Sequence, residues 1–378
     1  MEEKTSAHAD HIFVVAFFVC LLLSFSVYFV VGDLFDAREE VAPACYDGSV
    51  IEGSDPVHRL LRCVYQNERS IARVRRYEYR VFRVVNHGNV VAGKNGFLFE
   101  IKDTDTGYDF LEDYIGQSAF TEEESAGILA ELCRREKYYE EKGAEYLLVV
   151  LPNAQTVYSE YMPGYLGNIS KSTRLTRLNE YIDTHMTTAG DRFFNFANLT
   201  GELRAGKGEI PLYNNTENTL NSYGVYLAYR AVYDRFSPSV RATTRPLGSG
   251  DLSFRQYLTT GKAIAREAGL ADTVLNNTIS LSSDTPVNYT YLINTGSLTK
   301  TALKPAVAQG QNTSLLLQFS GNWEKLQSEP FFSNTFSRVT YQQGFAADDA
   351  IFDQAKPTVV IQFLYESELE LLLPGSGR

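Results

Sequence analysis

Cysteine and histidine are scarce in this sequence, and they are poorly arranged for metal chemistry. Four cysteines, Cys20, Cys45, Cys63 and Cys133, form no CxxC pair and have no histidine at metal-ligand spacing, so a structural zinc site is excluded and no cofactor is expected. Positive charge is also short, with 35 Lys and Arg against 46 Asp and Glu, a net charge of -11 and a pI near 5.1. That balance argues against nucleic acid, whose phosphates are bound by releasing counterions to a basic face. It also repels a polyanionic polymer unless the binding groove is locally basic. Internal repeats and low-complexity tracts are missing. What remains is 378 residues, 44% hydrophobic and 21% charged, enough for one large domain or two modest ones and too apolar for a disordered chain.

Charge is lacking altogether from Ile12 to Val31. The run is long enough for an α-helix to cross a bilayer core. It exceeds the apolar segment of a cleavable signal, and no A-x-A site follows it directly, so the sequence predicts a single transmembrane anchor in contact with lipid over residues 12–31. Residues 1–11 form a short tail. Residues 32–89 combine an acidic stalk with a helix, for Val57, Leu60, Val64, Ile71, Val74 and Val81 recur at amphipathic spacing beside a basic face. Cys45 and Cys63 stand in this stretch, either bridged or as free thiols.

From residue 90 to 373, strand-like and helix-like segments alternate, which predicts an α/β domain with a mostly parallel sheet flanked by helices. Thr121 to Lys142 is a helix, opened by the box-like Thr121-Glu-Glu-Glu124 and closed by Gly143. The apolar run Tyr146 to Leu151 reads as a buried strand. Helices are expected at Arg174 to His185 and Ser222 to Phe236. Further strands are expected at Phe193 to Phe196, Val287 to Asn294, Ser314 to Phe319, Ser337 to Tyr341 and Pro357 to Phe363. Ser237 to Asp284, rich in Gly, Ser and Thr, reads as an insertion over one edge of the sheet. Sequons begin at Asn168, Asn198, Asn214, Asn276, Asn288 and Asn312.

Several motifs in this region share one pattern. Gly93-Lys-Asn-Gly-Phe-Leu-Phe99 is followed by Val149-Val-Leu-Pro-Asn153 and by Val157-Tyr-Ser-Glu-Tyr-Met-Pro163. Tyr213-Asn-Asn-Thr-Glu217-Asn-Thr219 leads through Gly224 into a helix, and Leu317-Gln-Phe-Ser320-Gly-Asn322 ends a strand. Together they resemble the alginate O-acetyltransferase family, the AlgX/AlgJ type, with its SGNH-hydrolase-like domain. The resemblance implies a serine nucleophile on a strand-to-helix turn, served by an Asp-x-His pair. Here Phe319 or, with a slip of one residue, Ser320 takes the place of the serine, Glu217 that of the Asp and Thr219 that of the His, and a threonine cannot act as a base near neutral pH. Asp183-Thr-His185 offers an alternative Asp-x-His, but it lies within the expected helix.

The resemblance therefore implies an extracytoplasmic protein of the polysaccharide O-acetyltransferase type that has lost its triad. It would bind glycan at the strand ends near Asn153, Tyr213, Glu217 and Ser320. Its partners would be a polysaccharide or an envelope-modification protein such as a membrane-bound acyltransferase. The alternative is an active serine O-acetyltransferase or esterase on a cell-surface polysaccharide. An outside body predicts that, in intact cells under mild reduction, Cys45 reacts with a membrane-impermeant thiol reagent. Labelling of Cys45 only after permeabilisation would reverse the orientation.

Overall fold

The computed structural model describes residues 20, 68–85, 88–104, 106–189, 195–282, 290–293, 299–303, 313–320, 328–345 and 348–375. The chain divides into two units, Met1–Arg80 and Val81–Arg378. Helix α1 (Glu68–Phe82) covers the C-terminal part of the expected amphipathic stretch. The apolar run Ile12 to Val31, Cys20 apart, lies outside the described residues, as do Cys45 and Cys63. Among the described residues no helix is long and apolar enough to cross a membrane.

In the second unit β1 (Val90–Ala92) and β2 (Leu98–Glu100) form an antiparallel hairpin around the Gly93–Phe97 turn. Then follow α2 (Phe110–Tyr114), α3 (Glu122–Glu141), β3 (Glu145–Leu151), α4 (Ala154–Val157), α5 (Arg174–Ala189) and β4 (Phe196–Asn198). After these come α6 (Thr200–Ala205), α7 (Ser222–Tyr233), α8 (Pro238–Thr243), β5 (Phe254–Thr259), α9 (Ala263–Glu267) and β6 (Asn276–Leu281). The last part holds β7 (Thr290–Ile293), β8 (Thr299–Leu303), β9 (Ser314–Phe319), α10 (Glu329–Thr335), β10 (Arg338–Gln343), α11 (Asp349–Ala355) and β11 (Val359–Tyr365). Helix α3 starts where its capping box requires: the Thr121 hydroxyl accepts from the Glu124 amide while the Glu124 carboxylate accepts from the Thr121 amide.

One seven-stranded sheet has the order β4-β3-β11-β9-β10-β8-β7. Strands β4, β3, β11, β9 and β10 run parallel, and β8 and β7 add an antiparallel edge. The expected α/β class with a mostly parallel sheet is the class observed. Both faces of the central strands are buried, as the near-continuous apolar runs require. Leu147, Val149 and Leu151 of β3 pack on one side with Ile361 and Phe363 of β11 and with α7 and α10. Tyr146, Leu148 and Val150 pack on the other with Val360 and Leu364, against α3 and α5.

A row of buried glutamines crosses the second face. Gln342, Gln318 and Gln362 are register partners on β10, β9 and β11, each no more than 4% exposed. The Gln318 amide donates to Gln342 Oε1 at 2.8 Å, and the Gln362 amide donates to Gln318 Oε1 at 2.7 Å. Gln362 Oε1 accepts from the Tyr146 hydroxyl at 2.6 Å and from Arg135 Nη1 at 2.9 Å, and Arg135 is held in turn by Glu131. The ladder satisfies its polar atoms only in the observed register, because a slip of one residue turns every side chain to the opposite face.

Two regions depart from expectation. The insertion Ser237 to Asp284 is ordered around the antiparallel ribbon β5–β6 and helix α9, and β8, which was not expected, pairs between β10 and β7. The strand expected at Phe193 to Phe196 is β4, which begins only at Phe196 because its pairing with β3 starts at Leu148. The ladder generates a stability prediction. Gln362→Leu removes the acceptor shared by Tyr146 and Arg135 and should cost about 2–4 kcal/mol. Arg134→Ala, which breaks only an exposed pair with Glu131, should cost at most about 0.5 kcal/mol. Urea denaturation midpoints check both, and equal small losses would discount the ladder.

Candidate functional site

Three parallel strands end side by side, and the residues just beyond them make the floor of a cleft. Strand β3 delivers Pro152 and Asn153, β9 delivers Ser320, and β11 ends at Tyr365 before Glu366. Open α/β sheets place ligands outside such carboxyl ends. The fourth side is the loop Leu212–Asn221, which turns back on itself through a bridge between Tyr213 and Leu220. Its conformation is fixed from within and without. Asn221 caps α7 by accepting from the Tyr223 and Gly224 amides. Gly224 is required there, since a Cβ would lie 2.2 Å from the Leu212 carbonyl oxygen. Asn218 takes the left-handed conformation at φ 56°, which asparagine tolerates better than most residues.

The insertion grips this loop through a network of amides and hydroxyls. Thr216 donates to Asn276 Oδ1 at 2.9 Å, Asn276 Nδ2 donates to Asn214 Oδ1 at 3.2 Å, and the Asn277 amide donates to Asn215 Oδ1 at 2.7 Å. Lys262 supplies its backbone N–H to Thr216 and its ammonium to Glu217, the latter at 2.8 Å. From the opposite side Asn215 donates to the Gly96 carbonyl of the β1–β2 hairpin. Asn214 and Asn276 are 4% and 0% exposed, so their sequons are closed to modification in the folded protein.

The cleft between these elements has a volume of about 170 Å³. Phe110, Phe319, Phe363 and Tyr365 line it, Phe319 and Phe363 from the core, where their rings stack on each other. Glu100, Asp103, Glu217 and Glu368 line it too, with Asn153, Thr219 and Ser320; the Glu217 carboxylate pairs with Lys262 and that of Glu368 accepts from the Tyr365 backbone N–H. The structure thus brings together four of the residues expected at the site: Asn153, Glu217, Thr219 and Ser320. Thr219 Oγ1 accepts from Asn214 Nδ2 at 3.1 Å, and Asn153 donates its amide to the Tyr108 hydroxyl at 3.3 Å.

Three expected residues are elsewhere. Tyr213, expected to contact ligand, is fully buried and donates its hydroxyl to the Pro152 carbonyl, so it braces the β3 exit from within the core. Asp183 and His185, the alternative catalytic pair, are exposed on α5. Asp183 accepts from Asn179 at 2.9 Å, and His185 stacks on Tyr181 and shares a 2.8 Å hydrogen bond with its carbonyl. Neither is part of the cleft wall, because a helix continues through the motif instead of opening at it.

Beneath the cleft lie two buried acids that motif reading passed over. Glu366 Oε2 accepts from the Asn153 backbone N–H at 2.8 Å and from the Thr156 hydroxyl at 2.6 Å, while Oε1 has no hydrogen-bond partner among the described residues. Asp113 accepts from the Tyr108 hydroxyl at 2.6 Å and from the Arg174 amide at 2.7 Å. Burial raises the Glu366 carboxyl to about 7, with repulsion from Asp113 adding to the shift and the Asn153, Thr156 and Arg204 contacts opposing it. Burial likewise raises Asp113, against the pull of Tyr108 and Arg174. The one sequence signal for Glu366 is its place directly after the apolar run Val359–Tyr365.

No protein-family model and no curated protein matches the chain. Among solved structures, Bacillus cereus PatB1 with a sulfonyl adduct superposes with a TM-score of 0.48 at 11% identity, over 75% of this chain and 97% of that one. The O-acetyltransferase domain of Pseudomonas putida AlgJ gives 0.43 at 14% identity, over 74% and 92%. Pseudomonas aeruginosa AlgX gives 0.45 at 15% identity, over 80% and 69%. These neighbours thus include the AlgJ and AlgX proteins whose motifs the sequence resembles.

The raised carboxyl of Glu366 sets the sign of a pH dependence. Its folded value of about 7 exceeds the ordinary value of about 4.3. The fold therefore favours the neutral acid, and that stability is present below about pH 4.3 and is lost as the pH rises through about 7. Glu366→Gln, which mimics the neutral form, should lose this slope and be more stable than the parent at pH 8 by up to about 3 kcal/mol. Parallel urea denaturations from pH 5 to pH 8 measure it. Identical slopes for the two proteins would mean that Glu366 is charged throughout.

Proposed function

We propose that this chain binds saccharide at the strand-end cleft as a catalytically degenerate protein of the polysaccharide O-acetyltransferase type. In this reading residues 12–31 anchor it in the cell membrane with the body outside. It acts there in cell-envelope or exopolysaccharide modification, beside a partner such as a membrane-bound acyltransferase. The supporting observation is the wall of the cleft. The half-buried Tyr365 supplies an apolar ring, and the carboxylate- and hydroxyl-bearing side chains beside it can accept from sugar hydroxyls. The groups in the Asp and His positions are engaged otherwise, Glu217 by Lys262 and Thr219 by Asn214. A serine needs a base within about 2.6–3.2 Å or one water away, and the described cleft wall carries no imidazole.

The second reading, an active serine O-acetyltransferase or esterase, is favoured by one observation: Ser320 itself stands in the wall. Turnover and binding separate the two. For a binding protein, Ser320→Ala leaves the slow hydrolysis of an activated acetyl ester within two-fold of the parent. Glu217→Ala raises the Kd for a bound oligosaccharide about ten-fold or more. Loss of a measurable esterase rate in Ser320→Ala would replace this reading with the enzymatic one.

A further inference from the structure

The two buried acids behind the cleft have hydrogen bonds that show how many protons they hold. Both oxygens of Asp113 accept, Oδ1 from the Arg174 backbone N–H and Oδ2 from the Tyr108 hydroxyl, which is the pattern of a carboxylate. Glu366 differs. Its Oε2 accepts twice, while the buried Oε1 receives no hydrogen bond from the described residues. A charged oxygen left unbonded in the interior costs far more than a neutral hydroxyl, so the pair holds one proton and Glu366 Oε1 carries it.

One cleft residue connects the two acids. The Asn153 backbone N–H donates to Glu366, and the Asn153 side chain donates to the Tyr108 hydroxyl, which donates in turn to Asp113. Asn153 lines the cleft, and so does Phe110, whose ring packs edge-on against Tyr108 with centroids 4.9 Å apart. The other groups that face the pair are committed elsewhere. Thr156 of α4 already donates to Glu366 Oε2, and Arg204 of α6 attracts Glu366 but spends its hydrogen bonds on the Thr156 carbonyl. Tyr213 gives its hydroxyl to Pro152. Beside Asp113, the Arg174 guanidinium lies over the Tyr108 ring at 5.0 Å and pairs with Glu370. Neither arginine is bonded to Glu366.

We infer that the proton on Glu366 latches the segment Tyr108–Tyr114 against the strand ends, and that its loss to solvent loosens this side of the cleft and frees the Asn153 amide to face it. Ionised Glu366 sets a second negative charge against Asp113 with no donor on Oε1. The contact that yields first is the longest in the chain, Asn153 to Tyr108 at 3.3 Å. The segment stays attached at its other side, where the Phe110 N–H donates to the Ile101 carbonyl at 2.8 Å. Burial raises the Glu366 carboxyl to about 7, and repulsion from Asp113 adds to the shift. The latched form therefore prevails below neutral pH and gives way as the pH rises through about 7. This holds whatever the cleft binds.

Hydroxyl-radical footprinting of the full-length chain at pH 6 and pH 8, read residue by residue by mass spectrometry, tests the latch. Tyr108, Phe110 and Tyr114 are all buried and should be oxidised slowly at pH 6. In the parent the rates at Tyr108 and Phe110 should rise about three-fold or more at pH 8, while Tyr146, buried in the sheet, stays protected. Glu366→Gln should keep both residues protected at pH 8. Tyr108→Phe, which cuts the connection between the acids, should leave Phe110 reactive at both pH values. Unchanged rates in the parent, or a pH step that persists in Glu366→Gln, would overturn the inference. So would a parallel rise at Tyr146, because the acids would then act on the whole fold instead of one wall. A Tyr108→Phe variant with Phe110 as protected as in the parent at pH 6 would show that the latch does not run through Tyr108, and would overturn it even if Glu366→Gln failed to fold.

Discussion

The register of the parallel sheet is the constraint on which the rest depends, and a row of three glutamines at one level of the sheet holds it. Gln342, Gln318 and Gln362 pass hydrogen bonds from β10 through β9 to β11, and Tyr146 and Arg135 close the row on the side of β3. Apolar neighbours would tolerate more sliding than buried amides, since an amide displaced from its partner inside the core keeps its desolvation cost. Two residues beyond Gln318 the chain reaches Ser320, and three beyond Gln362 it reaches Tyr365. The level at which the cleft floor sits thus follows from where the glutamines meet.

Above that floor the cleft depends on long-range polar contacts more than on apolar packing. The loop Leu212–Asn221 is short of apolar side chains, and its Asn214, Asn215 and Thr216 are bonded to Gly96 on one side and to Leu275–Asn277 on the other. Glu366 ties the exits of β3 and β11 together with a carboxyl that burial keeps largely protonated below neutral pH. A half-satisfied buried acid is a poor way to stabilise a fold. Its position under a candidate ligand cleft makes it more informative about the site than about folding.

The elements legible in the sequence were those whose signal is local. Ser314 to Phe319 forms the strand expected of it because both of its faces are buried, and α3 begins at its capping box because Thr121 and Glu124 complete each other within one turn. The insertion was opaque for the opposite reason. Strand β5 is exposed along most of its length, and what orders its surroundings is a set of hydrogen bonds and one ion pair to residues some 45 to 62 positions away. Asp183-Thr-His185 matched a catalytic motif by letters while the apolar spacing of Leu175, Leu178 and Ile182 carried a helix straight through it. Tyr213 was misjudged because a tyrosine beside a site can serve as readily in the core as at a sugar. Its hydroxyl finds the Pro152 carbonyl, which only the folded chain brings near.

The central claim is that the strand-end cleft retains its serine without the chemistry. Mass spectrometry of the full-length chain after exposure to a serine-directed sulfonyl fluoride tests it most directly, because a serine activated by a base is sulfonylated far faster than an ordinary hydroxyl. The account predicts an unmodified Ser320 under conditions in which an activated serine reacts to completion. A stoichiometric sulfonyl adduct on Ser320 would show that a base reaches it after all and would contradict the account.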